Sequence, residues 1–228
     1  MTRRQIPNGF WIAAAALALS ALACGSADPD GTLADSDESE LTADPRGALR
    51  AARLSVSRSA LAPTLAPYVS HPDYVAANVP FVPVADLRRA LEGVVDGPLK
   101  NRGEAHVTTV TPVEMGVLRK RLSSEEIEAT VRASGIQKAA LEPVCIGMGT
   151  KGKDHSFFLV VQSEELVRVR VALGEAYVKR GGRASDFDAR AFYPHVTLGF
   201  TKRDLHESDG VKKDAKSCPR PDGLTVTR

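Results

Sequence analysis

Residues 104–109 read Glu-Ala-His-Val-Thr-Thr and residues 193–198 read Tyr-Pro-His-Val-Thr-Leu, so one pattern, His-x-Thr inside an apolar stretch, occurs twice. Both surroundings are rich in β-branched residues, and strands are predicted over 104–111 and 192–201. In a strand, residues i and i+2 point to the same face. Each copy therefore presents one imidazole and one hydroxyl side by side, His106 with Thr108 and His195 with Thr197. Random placement of five histidines and thirteen threonines yields about 0.3 such patterns in a chain of 228 residues, so two of them on strands are a signal.

Working outward, strands and helices alternate. Residues 74–82 read as a buried strand, and 84–95 as a helix with Leu87, Leu91 and Val94 at helical spacing. Helices are predicted over 112–122 and 123–133; the second opens on a capping box, Ser123-Ser124-Glu125-Glu126, and is closed by Gly135. Strands over 143–148 and 156–162 flank a Gly/Lys-rich turn and read as a hairpin. A long amphipathic helix over 164–180 ends at Gly181-Gly182. The alternation implies an α+β fold, a sheet packed with helices.

Several other side chains take secondary readings. By strand alternation Tyr193 shares the face of His195 and Thr197 and is a candidate cleft residue, while Phe200 falls on the opposite face and is assigned to the core. Lys151, Lys153 and His155 read as a solvated basic turn, and His71, beside Pro72, as a loop residue. The segment Arg203-Asp204-Leu205-His206, with Lys212 and Lys213, either folds back over the cleft to contact an anion or forms a surface tail. Cys145 and Cys218 either form a disulfide tying the tail to the core or leave Cys145 as a buried free thiol. No Cys-x-x-Cys, His/Cys cluster, Rossmann fingerprint or P-loop occurs, so no metal and no cofactor is indicated.

The amino terminus reads as an address. Arg3 and Arg4 precede an apolar run over 10–23, which is too short to span a bilayer comfortably and stops at Ala21-Leu22-Ala23-Cys24. Small apolar residues up to a cysteine, then polar sequence, resemble a bacterial lipoprotein signal peptide with Cys24 as the lipidated first residue. The alternative is a plain secretory signal with Cys24 incidental. Overall charge looks neutral, with 30 basic against 28 acidic residues. However, seven of the acids crowd into 25–45 and only two of the bases precede it, which leaves +7 over 46–228. The expected organisation is a signal peptide over 1–23, an acidic tether over 24–45, an N-terminal extension over 46–73 with a helix over 46–58, and the main domain over 74–228. A basic domain suits an anionic ligand.

The paired motifs resemble those of the two-histidine (2H) phosphoesterase superfamily, over about residues 74–205, and GEAHVTTVTP and YPHVTLGFT look like its Swiss Army Knife group. That resemblance implies a bilobal fold of concave antiparallel sheets with outer helices and two pseudo-twofold halves. It also implies catalytic roles for His106 and His195 and phosphate contacts from Thr108 and Thr197. The expected activity is a metal-independent hydrolysis of a cyclic phosphate or 2′–5′ phosphodiester in a nucleotide or short RNA end. One histidine would act as base and the other as acid. Which is which stays open. The alternatives are an RNA 2′–5′ ligase and a nucleotide-binding lipoprotein without turnover. A monomer is expected, lipid-anchored through Cys24 to a bacterial membrane in the cell envelope, on its periplasmic or extracellular face.

Overall fold

The computed structural model describes residues 41–65 and 68–228; the signal-peptide, Cys24 and most of the tether readings lie outside the described residues. In chain order the elements are α1 (Pro45–Ala51), β1 (Leu54–Ser57), β2 (Val69–His71), β3 (Tyr74–Asn78), α2 (Phe81–Val95), β4 (His106–Val110), α3 (Pro112–Leu118), α4 (Ser124–Ala133), β5 (Glu142–Lys151), β6 (Asp154–Gln162), α5 (Glu164–Lys179), β7 (His195–Phe200) and β8 (Leu224–Thr227). Six strands form one sheet in the order β2-β3-β4-β7-β6-β5, and every neighbouring pair in it is antiparallel.

This order is a repeat. Each half is a hairpin, a helix and a third strand: β2-β3-α2-β4, then β5-β6-α5-β7. The halves meet where β4 lies beside β7, in register at Val107 and Val196. The two His-x-Thr strands are thus the two central strands of an α+β sheet. Val107 and Val196 are fully buried and join Val75, Ala77, Phe157, Leu159 and Val161 in the main core. Against that face pack Leu87, Leu91 and Val95 of α2 and Leu166, Val169 and Leu173 of α5. α2 contacts β7 and α5 contacts β4, so each half's helix braces the other half's motif strand.

Local chemistry accounts for most element ends. Ser123 and Glu126 form the expected capping box, and Gly135 follows with φ +76°. A second box, Thr111 with Glu114, starts α3 behind Pro112. The strand expected over 74–82 stops at Asn78. Pro80 and Pro83 offer no N–H to a ladder but cost little in a first helical turn, so Phe81 and Val82 open α2 instead. The helix expected over 46–58 ends at Ala51. Residues 54–57 instead pair in parallel with β8, a strand at the carboxyl end. The stretch expected as an extension, 46–73, packs into the main body: Leu49, Leu54, Val56 and Leu61 join its core, and β2 edges its sheet.

The other face of the sheet is covered over β5 and β6 by the chain after β7. Leu205, Val211 and Cys218 pack on Cys145, Phe158 and Val160 as a second apolar cluster. A disulfide joins Cys145 to Cys218, with Cα atoms 6.1 Å apart. Gly147 of β5 leaves room for a ring of the neighbouring strand, and Gly149 for the strap-forming chain after β7. A Cβ would strike the Phe158 ring at the first and the Val211 side chain at the second. Residues 201–218 therefore form a strap over one half of this face, and the motif side chains lie on the same face.

Candidate active site

Each motif strand carries a bulge directly after its threonine. Across β4 the register jumps from Thr108–Ala76 to Val110–Val75, and across β7 from Thr197–Phe158 to Gly199–Phe157. Thr109 and Leu198 are the extra residues, and the two strands share one burial pattern over five positions. On both, the His and Thr are half-buried on the strap face, the intervening Val is buried in the core, and the next two residues are buried. The bulge also moves Phe200. It pairs with Ser156, two residues from the partner of Thr197, and so returns to the face of His195 and Thr197. Alternation alone placed Phe200 on the opposite face and in the core; it is half-buried and outside both core clusters.

Antiparallel pairing at Val107–Val196 brings the motifs past each other, with His106 across from Thr197 and Thr108 across from His195. Two imidazoles and two hydroxyls thus converge on one patch, but their surroundings differ. His195 Nδ1 lies 2.8 Å from the Tyr193 carbonyl. A carbonyl only accepts, so Nδ1 carries the hydrogen and Nε2 is left with its lone pair. Burial, then the Lys213 charge, press the His195 pKa down to about 3 against the opposing pull of that hydrogen bond. The Phe158 ring meets it edge-on at 5.8 Å.

His106 is held by other means. Its Nδ1 is 3.7 Å from the Glu104 carboxylate, and its ring stacks with Tyr74, which stacks in turn on His71. Burial lowers its pKa below 6.5, and Glu104 pulls it back up. His71, read as a loop residue, ends β2 and caps this ladder of rings.

The hydroxyls differ as well. Thr108 has no hydrogen-bond partner among the described residues. Thr197 Oγ1 donates to Asp204 (3.2 Å) and accepts from Lys213 Nζ (3.4 Å). Asp204 also pairs with Lys213 (2.7 Å) and Arg102 (3.5 Å). Asp204 and Lys213 are both buried, and Lys213 is the only buried lysine among the described residues. The segment after the second motif therefore folds back onto the motif face and is not a surface tail. Lys151, in the hairpin, is tied instead to Asp209, and His155 bonds Thr150.

Tyr193 lines a groove of about 820 Å³ beside the patch, with Phe192, Pro194, Arg190, Val160 and Lys213 among its walls, and Lys212 lies over its ring. Behind the patch stands a residue that patterning alone conceals. Arg170 of α5 is 1% exposed. Its guanidinium grips Glu114 at 3.0 and 2.6 Å and the Thr109 carbonyl at 2.8 Å. It also donates to the carbonyls of Asp188, Ala189 and Ala191 and lies between the rings of Phe187 and Phe192. One side chain thus ties the bulge of the first motif to the loop that delivers the second. Arg170 lies with Leu166, Val169 and Leu173 among the buried residues of the helix whose sequence reads as amphipathic.

The sequence model of the Swiss Army Knife, 2H phosphoesterase domain matches residues 73–206, more than half of the chain, and the match contains both motifs. The chain belongs to the 2H phosphoesterases. No curated protein and no solved structure matches it. In this 2H phosphoesterase the paired halves are the two hairpin–helix–strand units, and the motifs meet at the line where the halves join.

Proposed function

We propose that this 2H phosphoesterase hydrolyses a cyclic phosphate or a 2′–5′ phosphodiester at the end of a nucleotide or short RNA, with His195 as general base and His106 as general acid. The observation that carries the reading is the unequal pair of imidazoles beside two hydroxyls on one face of the central strands. His195, neutral with a free Nε2, is suited to take the proton of the attacking water. The water oxygen bonds to phosphorus, the bond to the leaving ribose oxygen breaks, and His106 returns a proton to that oxygen. The anionic phosphate raises the proton affinity of His106 as it binds, and Glu104 assists. Thr108 donates its hydroxyl to a non-bridging oxygen, and Thr197 does so only as its proton turns from Asp204. The groove lined by Tyr193 would receive the nucleoside part.

The test is an assay of 2′,3′-cyclic nucleotides, 2′–5′ dinucleotides and ADP-ribose cyclic phosphate in EDTA, with the position of the remaining phosphate determined. Hydrolysis of none of them refutes the proposal, and binding without turnover points to a nucleotide-binding protein. A finer expectation concerns the hydroxyls. Losing a hydrogen bond to a charged group costs about 1.5–3 kcal/mol, so Thr108→Ala should lower kcat/KM by about ten- to hundredfold. Thr197→Ala should cost less, because its hydroxyl proton is already committed to Asp204. Equal losses would contradict this asymmetry.

We also propose that the enzyme works at the cell envelope, anchored through Cys24. The Cys145–Cys218 disulfide supports an oxidising compartment. Processed wild type should enter the detergent phase on phase separation, and Cys24→Ser should not. Recovery of processed wild type wholly in the aqueous phase would favour plain secretion.

A further inference from the structure

The strap after β7 ends in a covalent fastening, and what it delivers is a lysine. Lys213 is 4% exposed, and its ammonium has three N–H donors. One goes to Asp204 and one to Thr197; the third has no protein acceptor among the described residues. A lysine needed only to neutralise Asp204 would not have to touch the threonine of the second motif. Its ammonium also lies 5.6 Å from the centre of the Phe158 ring, the ring that meets His195 edge-on.

The strap that carries this lysine is fastened at several points. Ser156 Oγ accepts from the Leu205 N–H at 2.8 Å, Val211 sits on Gly149, and Asp209 is gripped by Arg203 and Lys151. Five residues beyond Lys213, Cys218 is bonded to Cys145 in β5. Asp204 contributes from the other side: it orients Lys213 and makes burial of an ammonium tolerable. Lys213 also lines the groove beside Tyr193, so it stands where a phosphate at the histidines would continue into that groove.

We propose that Lys213 is the cationic ligand of the substrate's phosphate, oriented by Asp204 and held in place by the Cys145–Cys218 disulfide. The proposal rests on the reading of the patch as a phosphoester site and adds a ligand supplied by the strap. The anion recognised is a phosphomonoester or phosphodiester. A charge-assisted hydrogen bond to it is the strong kind, and its loss weakens binding by about ten- to hundredfold. The disulfide makes that affinity depend on oxidation of the strap.

The experiment measures calorimetric affinity of the full chain for a nucleoside 2′-monophosphate and for inorganic phosphate, alongside KM and kcat for any cyclic nucleotide that is hydrolysed. Lys213→Met alone leaves a buried carboxylate unpaired, so the double variant Lys213→Met/Asp204→Asn, which removes both charges, is the decisive protein, with its melting temperature recorded. The expected result is a folded double variant whose dissociation constant and KM rise by about ten- to hundredfold. The Cys145→Ala/Cys218→Ala variant, or wild type treated with reductant, should shift in the same direction by a smaller factor. A folded double variant that binds the monophosphate as wild type does overturns the role of Lys213. Equal affinity with and without the disulfide overturns the fastening, and a wild type that binds neither probe overturns the whole proposal. Wild type that binds the probes but hydrolyses nothing would sink the hydrolase reading while leaving Lys213 standing.

Discussion

His106→Ala and His195→Ala should each lower kcat by about two to four orders of magnitude, the usual contribution of one positioned proton-transfer group. Their pH profiles should part in a way that assigns the roles. In the free site His195 stays neutral down to about 3, held there by burial and by Lys213, so it is available as a base at any higher pH. His106 must be protonated to act as an acid, and burial places its pKa below 6.5 despite Glu104. The protonated fraction of His106 falls as pH rises. The wild-type kcat/KM profile should therefore decline on its alkaline side through a pKa below 6.5, and rise on its acid side near 3. Bound phosphate stabilises the imidazolium, so kcat should persist to higher pH than kcat/KM. The residual activity of His106→Ala should lack the alkaline decline, and that of His195→Ala the acid rise. An alkaline limb that survives in His106→Ala and vanishes in His195→Ala would reverse the assignment.

The second large effect is on stability. Arg170→Ala removes a guanidinium that is almost wholly buried and strands the partly buried Glu114 beside the three loop carbonyls it served. Breaking such a pair from one side costs about 3–5 kcal/mol, a large share of the roughly 5–15 kcal/mol that holds a domain folded. Arg170→Lys should recover little of it, since an ammonium cannot span Glu114 and the carbonyls as the planar fork does. The pair also sets a pH dependence. Burial alone would raise the Glu114 carboxyl, but the hydrogen bond and charge of Arg170, with Thr111, hold it below its ordinary 4.5. Its contribution is therefore present above about 4.5 and lost as pH falls through the lower folded value. Urea unfolding at neutral pH and at pH values below that point should show wild type losing this increment and Arg170→Ala lacking it throughout. A variant as stable as wild type would mean that the neighbouring rings and carbonyls rearrange to do without the guanidinium.

The division between motif and setting follows from the range of the forces involved. His106, Thr108, His195 and Thr197 were legible because strand alternation is local: two residues apart means one face, whatever packs above it. The Ser123–Glu126 box closes within three residues, and the β5–β6 hairpin is legible from its short turn, which joins two strands adjacent in the chain. Family resemblance was readable for the same reason, being carried by short strings around the motifs. The bulges at Thr109 and Leu198 were not, because a strand's register is defined only by its partner, and they reversed the placement of Phe200. Nor could the strap be read. Asp204 and Lys213 look like any charged pair in a polar tail, and only their enclosure between Thr197, Phe158 and the disulfide-held chain makes them part of the site. Arg170 was hidden on a helix, where a charge usually marks the wet face. A charged side chain is buried only when its hydrogen-bond partners are already in place, and those of Arg170 come from α3, the end of β4 and the loop before β7, segments that only folding brings together.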